Sequence, residues 1–255
     1  MCILNISYKT HPNYKMIIAA NRDEFYSRPT AKASFWEDHP GILAGKDLHA
    51  GGTWLGITKA GKFSAITNYR SIAEYKKDAP SRGKLVIDFL AGTDDPKDYA
   101  AKLIKNGHLY NGFNLLFSDQ SELYYFSNHT QESAMLSPGI YGLSNHLLDA
   151  PWPKVEKSKL SFTKAIMHKN VADSDLFEIL QDSSKPPDEE LPDTGVGLEL
   201  ERVLSSVFVA TPIYGTVSST LIFISNKDEV RFIEKSLNSS SKEWTTTEFN
   251  FILDR

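Results

Sequence analysis

Cys2 is the only cysteine among 255 residues, and it stands where removal of Met1 would make it the N-terminus. Methionine aminopeptidases act when the next side chain is small, and cysteine meets that condition. The released α-amine, with a reference pKa of about 7.7–8.0, can take the proton of its own thiol near neutral pH. The resulting thiolate is a nucleophile for a carbonyl carbon. Such a nucleophile needs donors for the oxyanion, a group that holds the amine, and an electropositive setting. Arg22 is the candidate for lowering the thiol pKa, and Asp23 for orienting the α-ammonium. Asn68 and Asn145, each closing a predicted strand, carry amides able to donate to an oxyanion. A plainer reading stands beside this one. In it Cys2 is a small buried hydrophobe, Arg22 and Asp23 pair with each other, and the asparagines are turn residues.

The elements around these residues decide whether they can meet. Residues 2–8 and 14–21 read as strands joined across the polar turn KTHPN (9–13). A hairpin centred near His11 makes partner numbers sum to about 22, which sets Cys2 opposite Ala20 and brings Arg22 and Asp23 close by. Arg22 shares parity with Ala20 and so shares the face of Cys2. Residues 51–70 predict two strands joined at Lys59-Ala60-Gly61, and 111–128 a hairpin turning near Asp119-Gln120-Ser121. A helix is expected over 81–92, with Ser81 as N-cap and Gly92 as stop, and a second from Pro96 to about Lys105. A short strand at 139–145 ends in Asn145. Helical periodicity runs through 154–181, on Leu160, Phe162, Ile166, Leu176 and Ile179. The segment 183–195 reads as a flexible acidic, proline-rich surface loop. Three closing strands follow, within 206–225, 230–236 and 243–253. Hairpins and helices come in blocks rather than in βαβ alternation, so two antiparallel sheets with helices packed outside them are expected, in one domain spanning 1–255.

Composition narrows the functional classes. Hydrophobic residues make up 41% and charged ones 24% of the chain, as in ordinary globular proteins. One cysteine allows no internal disulfide, and no stretch approaches the ~18 apolar residues of a membrane span. Tyr8 to Pro12 interrupt the apolar start, so no signal peptide is expected. A net charge of −4 argues against nucleic acid as the main partner. Together these predict a cytoplasmic protein that meets a small-molecule substrate or ligand. There is no P-loop, no GxGxxG after a strand, no cysteine–histidine zinc pattern and no G-x-S-x-G elbow. No metal ligand set is expected.

Several stretches together resemble a known family. AANRDEFYSRPT (19–30) carries the Asn-Arg-Asp-Glu sequence that gives the NRDE family its name, also called the transport and Golgi organisation protein 2 family. GKDLHAGGTWLGIT (45–58), ITNYR (66–70), SRGKLV (81–86), YNGFNLLF (110–117), YGLSNHLLDAPWPKV (141–155) and YGTVSST (214–220) resemble its further blocks, in order. The resemblance implies an α+β fold of N-terminal nucleophile hydrolase type: a four-layer αββα sandwich of two antiparallel sheets flanked by helices. By analogy with the choloylglycine hydrolase and penicillin V acylase group, it implies Cys2 as nucleophile, with Arg22 and Asp23 beside it and Asn68 and Asn145 at the oxyanion. One position departs from the pattern. Family members often read Gly-Thr-Arg-Ser-Ser-Thr where this chain has Val217, which removes a positive charge that Arg70 or Arg202 would have to replace.

The resemblance leaves three functions open. The first is an amidohydrolase cleaving a non-peptide C–N bond of a small molecule, with no cofactor required. The second is a non-catalytic carrier of haem or a lipid-related ligand, since haem trafficking is proposed for several members. Trp36, Trp54, Phe63, Tyr69 and Trp152 could line its pocket, with haem as transported ligand. The seven histidines show no i, i+4 or H-x-H arrangement, so no axial ligand is assigned. The third is a degenerate hydrolase fold serving as a scaffold.

Overall fold

The computed structural model describes residues 2–71, 75–238 and 241–254. In chain order the first strands are β1 (Cys2–Tyr8), β2 (Tyr14–Phe25), β3 (Thr30–Phe35), β4 (Ile42–Asp47), β5 (Leu55–Thr58) and β6 (Phe63–Asn68). Helices α1 (Gly83–Ala91) and α2 (Pro96–Asn106) come next, then β7 (Phe113–Ser118), β8 (Leu123–Ser127), β9 (Glu132–Leu136) and β10 (Gly139–Leu143). Helices α3 (Pro153–Ile166), α4 (Asp173–Leu180) and α5 (Leu198–Leu204) precede β11 (Tyr214–Ser225), β12 (Glu229–Leu237) and β13 (Trp244–Ile252). The strands make two antiparallel sheets, ordered β10-β1-β2-β11-β12-β13 and β3-β4-β5-β6-β7-β8-β9.

Strand alternation builds the layers. Even-numbered Leu4, Ile6, Tyr8, Met16, Ile18 and Ala20 meet Leu55, Ile57, Phe63, Ala65 and Leu116 of the other sheet in a central core. On the outer face of the first sheet, Ile17, Ala19, Leu221 and Phe223 pack against Phe162 and Ile166 of α3 and Leu176, Phe177 and Leu180 of α4. On the outer face of the second, Phe113, Leu115, Phe117 and Phe126 take Leu85, Val86, Phe89 and Leu90 of α1 and Tyr99 and Leu103 of α2. The result is the expected four-layer αββα sandwich, with β1 and β2 central in their sheet and buried on both faces.

Some local readings need correction. The first hairpin pairs Cys2 with Arg22 and Leu4 with Ala20, so partner numbers sum to 24 rather than 22. The reversal spans Lys9–Asn13 and is centred on Pro12: Lys9 N–H bonds the Lys15 carbonyl at 2.8 Å, and Asn13 N–H bonds His11 Nδ1. Proline has no N–H to give a ladder, so it takes the apex. Helix α1 starts at Gly83 with Arg82 in the cap position and no side-chain cap, so Ser81 is not its N-cap. Leu160 of α3 faces solvent. Residues 206–213 precede β11 instead of belonging to it. Apart from these, residues 183–195 include one 3-10 turn (Asp188–Glu190), with Arg202 bonded to Asp188 and Thr194 to Glu201.

Candidate active site

Cys2 opens β1 and lies directly across from Arg22 near the end of β2, so both side chains face the second sheet. A cleft of about 430 Å³ lies over them, lined also by Asp23, Asn68, Trp54 and Arg82. The Arg22 guanidinium is buried, stacks 4.4 Å from the centre of the Trp54 ring, and donates to Thr30 Oγ1 at 2.8 Å. Arg22 is thus a fixed charge beside the sulfur rather than a solvated one.

Asp23 is next in β2, and its carboxylate Oδ1 accepts from Thr216 Oγ1 at 2.7 Å. Burial pushes this carboxyl above the usual range, while Lys154, Thr216 and Arg22 pull it back. Thr216 reaches Asp23 because β11 bulges at Val217: Thr216 pairs with Asp23 and Ser218 with Arg22, leaving the residue between them as the extra one.

The two asparagines have different placements. Asn68 ends β6 and lines the cleft. Asn145 follows β10, in the other sheet, and is fully buried. Its Nδ2 donates to the Asn68 carbonyl at 3.0 Å, and its own carbonyl accepts from Arg70 N–H at 2.8 Å. Ser144, just before it, donates to the Cys2 carbonyl at 2.8 Å. The end of β10 thereby clasps β1, which starts at Cys2, to the strand that carries Asn68.

At the thiol, Arg22 acts in the expected direction but is outweighed by burial. Burial pushes the Cys2 thiol above its ordinary value and the Asp23 charge adds to that, while Arg22 and an Asp23 N–H bond oppose it without reversing it. Arg22 therefore does not make a standing thiolate. A thiol in this state would need a proton acceptor before it could act as a nucleophile. The acceptor named from the sequence, the α-amine freed by loss of Met1, involves a residue outside the described ones.

Two cations near Cys2 lie in the SRGKLV and YGLSNHLLDAPWPKV stretches, where residue type alone assigns them no role because lysines and arginines usually sit in solvent. Lys154, one residue into α3, is buried and donates to the Leu204 carbonyl at 2.9 Å. Burial and then Arg70 push its pKa down to about 8, with Asp23 and Cys2 resisting. Burial likewise lowers the Arg82 pKa, and the Cys2 thiolate opposes that shift. Arg70 and Arg202 do not line the cleft. Arg70 forms a buried pair with Glu201 and stacks on Trp152, whereas Arg202 pairs at the surface with Asp188 and Glu199. Of the aromatics, Trp54 lines the cleft, Phe63 and Trp36 lie in the two cores, and Trp152 packs under Arg70. Among the described residues no group of three or more His, Cys, Asp or Glu could hold a metal ion, and no helix is long and apolar enough to cross a membrane.

Comparison with known proteins places the chain. The model of the family described as Transport and Golgi organisation 2 matches residues 1–239. The mouse (Mus musculus) Transport and Golgi organization 2 homolog is 37% identical, over 99% of each chain. The Drosophila melanogaster Transport and Golgi organization protein 2 is 27% identical, over 97% of this chain and 96% of its own. Among solved structures, the mutant C2A conjugated bile acid hydrolase from Clostridium perfringens superposes with a TM-score of 0.55 at 10% identity, covering 99% of this chain and 98% of that one. This last likeness is one of fold.

Proposed function

The chain belongs to the Transport and Golgi organisation 2 family, and on that footing we propose that it is an N-terminal-cysteine amidohydrolase cleaving a non-peptide C–N bond of a small molecule. The observation that carries this reading is the convergence of Cys2, Arg22, Asp23 and Asn68 on one cleft of about 430 Å³. A conjugated bile acid hydrolase shares the fold, which supports the reading without fixing a substrate.

After loss of Met1, the α-amine of Cys2 accepts the thiol proton as sulfur attacks the amide carbonyl carbon. The C=O π pair moves onto oxygen, which takes a hydrogen bond from the Asn68 amide, while the buried Asn145 holds Asn68 in place through the Asn68 carbonyl. Asp23 holds the α-ammonium. That ammonium returns its proton to the leaving nitrogen as the C–N bond breaks, which leaves a thioester on Cys2. Water, deprotonated by the same amine, hydrolyses the thioester and frees the acid. No cofactor enters. A thiol that burial keeps protonated needs a proton acceptor such as this amine.

The test is intact mass of the native-start protein, followed by a screen of small N-acyl amines. Loss of one methionine, and a transient acyl mass on Cys2 during turnover, are the expected results. Turnover undiminished in Cys2→Ala protein would rule out this nucleophile.

A further inference from the structure

The row of side chains that starts at Cys2 continues past Arg22. Arg22 pairs with Ser218 of β11, Ser218 with Ser236 of β12, and Ser236 with Thr245 of β13. Residues directly opposite share a face, so the whole row looks toward the second sheet, and two strand spacings put Ser218 roughly 10 Å from Cys2. Deeper along β11 and β12 that same face is Ile222, Ile224, Val230 and Phe232, all in the central core. It turns polar only as it nears the Cys2 end. There a second cleft of about 320 Å³ opens, lined by Ser218, Glu234 and Ser236 with Val217, Trp54 and Arg28. Trp54 and Arg28 line the Cys2 cleft as well, so the two meet at these side chains.

One buried polar group in this second cleft has no hydrogen-bond partner, and a buried carboxylate beside it is held only weakly at one oxygen. Ser218 is 3% exposed, and its Oγ has no hydrogen-bond partner. Glu234 is 1% exposed; Oε1 accepts the Ala33 N–H at 2.7 Å, but Oε2 has only a 3.4 Å contact with the Thr220 hydroxyl. Joining β12 to β3 needs one carboxyl oxygen, and a face built for stability alone would stay apolar here. An unsatisfied hydroxyl beside a carboxyl oxygen with only one long hydrogen bond, in one concave site, is what a hydrogen-bonding ligand would complete. Its charge is limited by the surroundings. Arg22, Arg28 and Lys32 disfavour a cation, and Glu234 disfavours an anion.

We propose that the cleft over Ser218 and Glu234 is a second binding site, taking an uncharged hydroxyl- or amide-bearing end of the compound whose bond is cleaved at Cys2, about 10 Å away. The link to cleavage rests on the amidohydrolase reading; the binding site does not.

The test is a titration of Cys2→Ala protein labelled with 13C at glutamate carboxyls, with the Glu234 signal assigned by its loss in Glu234→Gln. The probes are propionamide, 1,2-propanediol, inorganic phosphate and ethylammonium, each taken to about 100 mM because fragments of so few atoms bind weakly. Propionamide or the diol should move the Glu234 signal saturably, and Ser218→Ala should weaken that binding about five-fold. The site is overturned by no saturable shift with either neutral probe, by phosphate or ethylammonium binding as well as they do, or by Ser218→Ala binding like the parent. Binding that passes these criteria in a protein whose parent hydrolyses no amide leaves the site standing and removes the cleavage at Cys2.

Discussion

Cys2 and Arg22 are direct cross-strand partners, and the guanidinium of Arg22 is immobilised between the Trp54 ring and Thr30. The pairing puts a fixed positive charge beside a thiol that burial otherwise keeps protonated. Removing the charge must move the thiol pKa further up. Iodoacetamide alkylation, followed by intact mass from about pH 7 to 10, should rise to a midpoint above the ordinary thiol value of about 8.5. In Arg22→Gln protein that midpoint should be higher still. A lower midpoint in the variant would show that Arg22 does not act on Cys2 through its charge.

Replacing Cys2 with alanine removes one sulfur from a half-buried strand end. The cost in stability should be about 1 kcal/mol or less, well under that of emptying a core site. Turnover and alkylation should both disappear while the melting temperature barely moves. Thermal unfolding run beside an amide-cleavage assay separates loss of chemistry from loss of fold.

Glu234 gives a pH dependence of known sign. Burial pushes its carboxyl from 4.5 up to about 7. Below about pH 4.5 the folded and unfolded chains both hold the proton, and the group contributes nothing to the balance. As pH rises, the unfolded chain ionises freely while the folded one resists until about 7. Stability therefore falls across this window, by on the order of 3 kcal/mol at about 1.4 kcal/mol per pH unit. Glu234→Gln keeps the oxygen that accepts from Ala33 and removes the titration. Denaturant melts at pH 5 and pH 8 should show the parent losing stability that the variant keeps, about 2.5 kcal/mol apart, since part of the loss is complete by pH 5. Equal losses in both proteins would place the titrating group elsewhere.

Legibility in the sequence followed local signals. Elements with apolar runs of strand formers or a proline at the helix start, such as β1, β7 and α2, read correctly because Ile3, Leu4 and Ile6, Leu115 to Phe117, or Pro96 announce them. Strands β3, β4 and β9 did not: β3 and β9 are edge strands with exposed polar faces, and β4 carries Gly45 to make room for the Trp54 ring. At the site, Cys2, Arg22 and Asp23 are close in one hairpin, so their proximity could be read. The Asn68–Asn145 clasp joins two sheets, and Lys154 reaches the site from a helix 152 positions after Cys2; neither has a local pattern.

The Arg70–Glu201 pair ties the loop after β6 to α5 with both side chains buried, at 2.6 Å. Arg70 Nε and Nη2 have no hydrogen-bond partner, so the guanidinium depends on Glu201 and on its stacking against Trp152. Glu201→Gln would leave that charge buried without its counter-ion, at a cost of about 3–5 kcal/mol. Replacing both residues with apolar ones of similar size should cost less than the single change. A double-mutant cycle by chemical denaturation measures the difference.

The start of α1 is set by two glycines in contact. A Cβ placed on Gly52 would meet the Gly83 carbonyl carbon at 2.6 Å, and the Thr53 N–H bonds the Gly83 carbonyl at 3.3 Å. Only a bare backbone lets the segment before β5, which carries Trp54, approach the helix that begins beside Arg82. The neighbour struck by an added methyl is main chain, which cannot rotate away, so Gly52→Ala must displace α1 or the 52–54 segment. Overpacking of this kind costs about 1–3 kcal/mol. Because Trp54 and Arg82 both line the Cys2 cleft, the shift should also reach the site. Gly52→Ala should lower the melting temperature and slow Cys2 alkylation, whereas Gly41→Ala, where nothing lies within 4 Å of the added carbon, should do neither. Parallel melts and alkylation rates on the two variants check both halves, and an unchanged alkylation rate in a destabilised Gly52→Ala protein would show that this contact supports the fold without positioning the site.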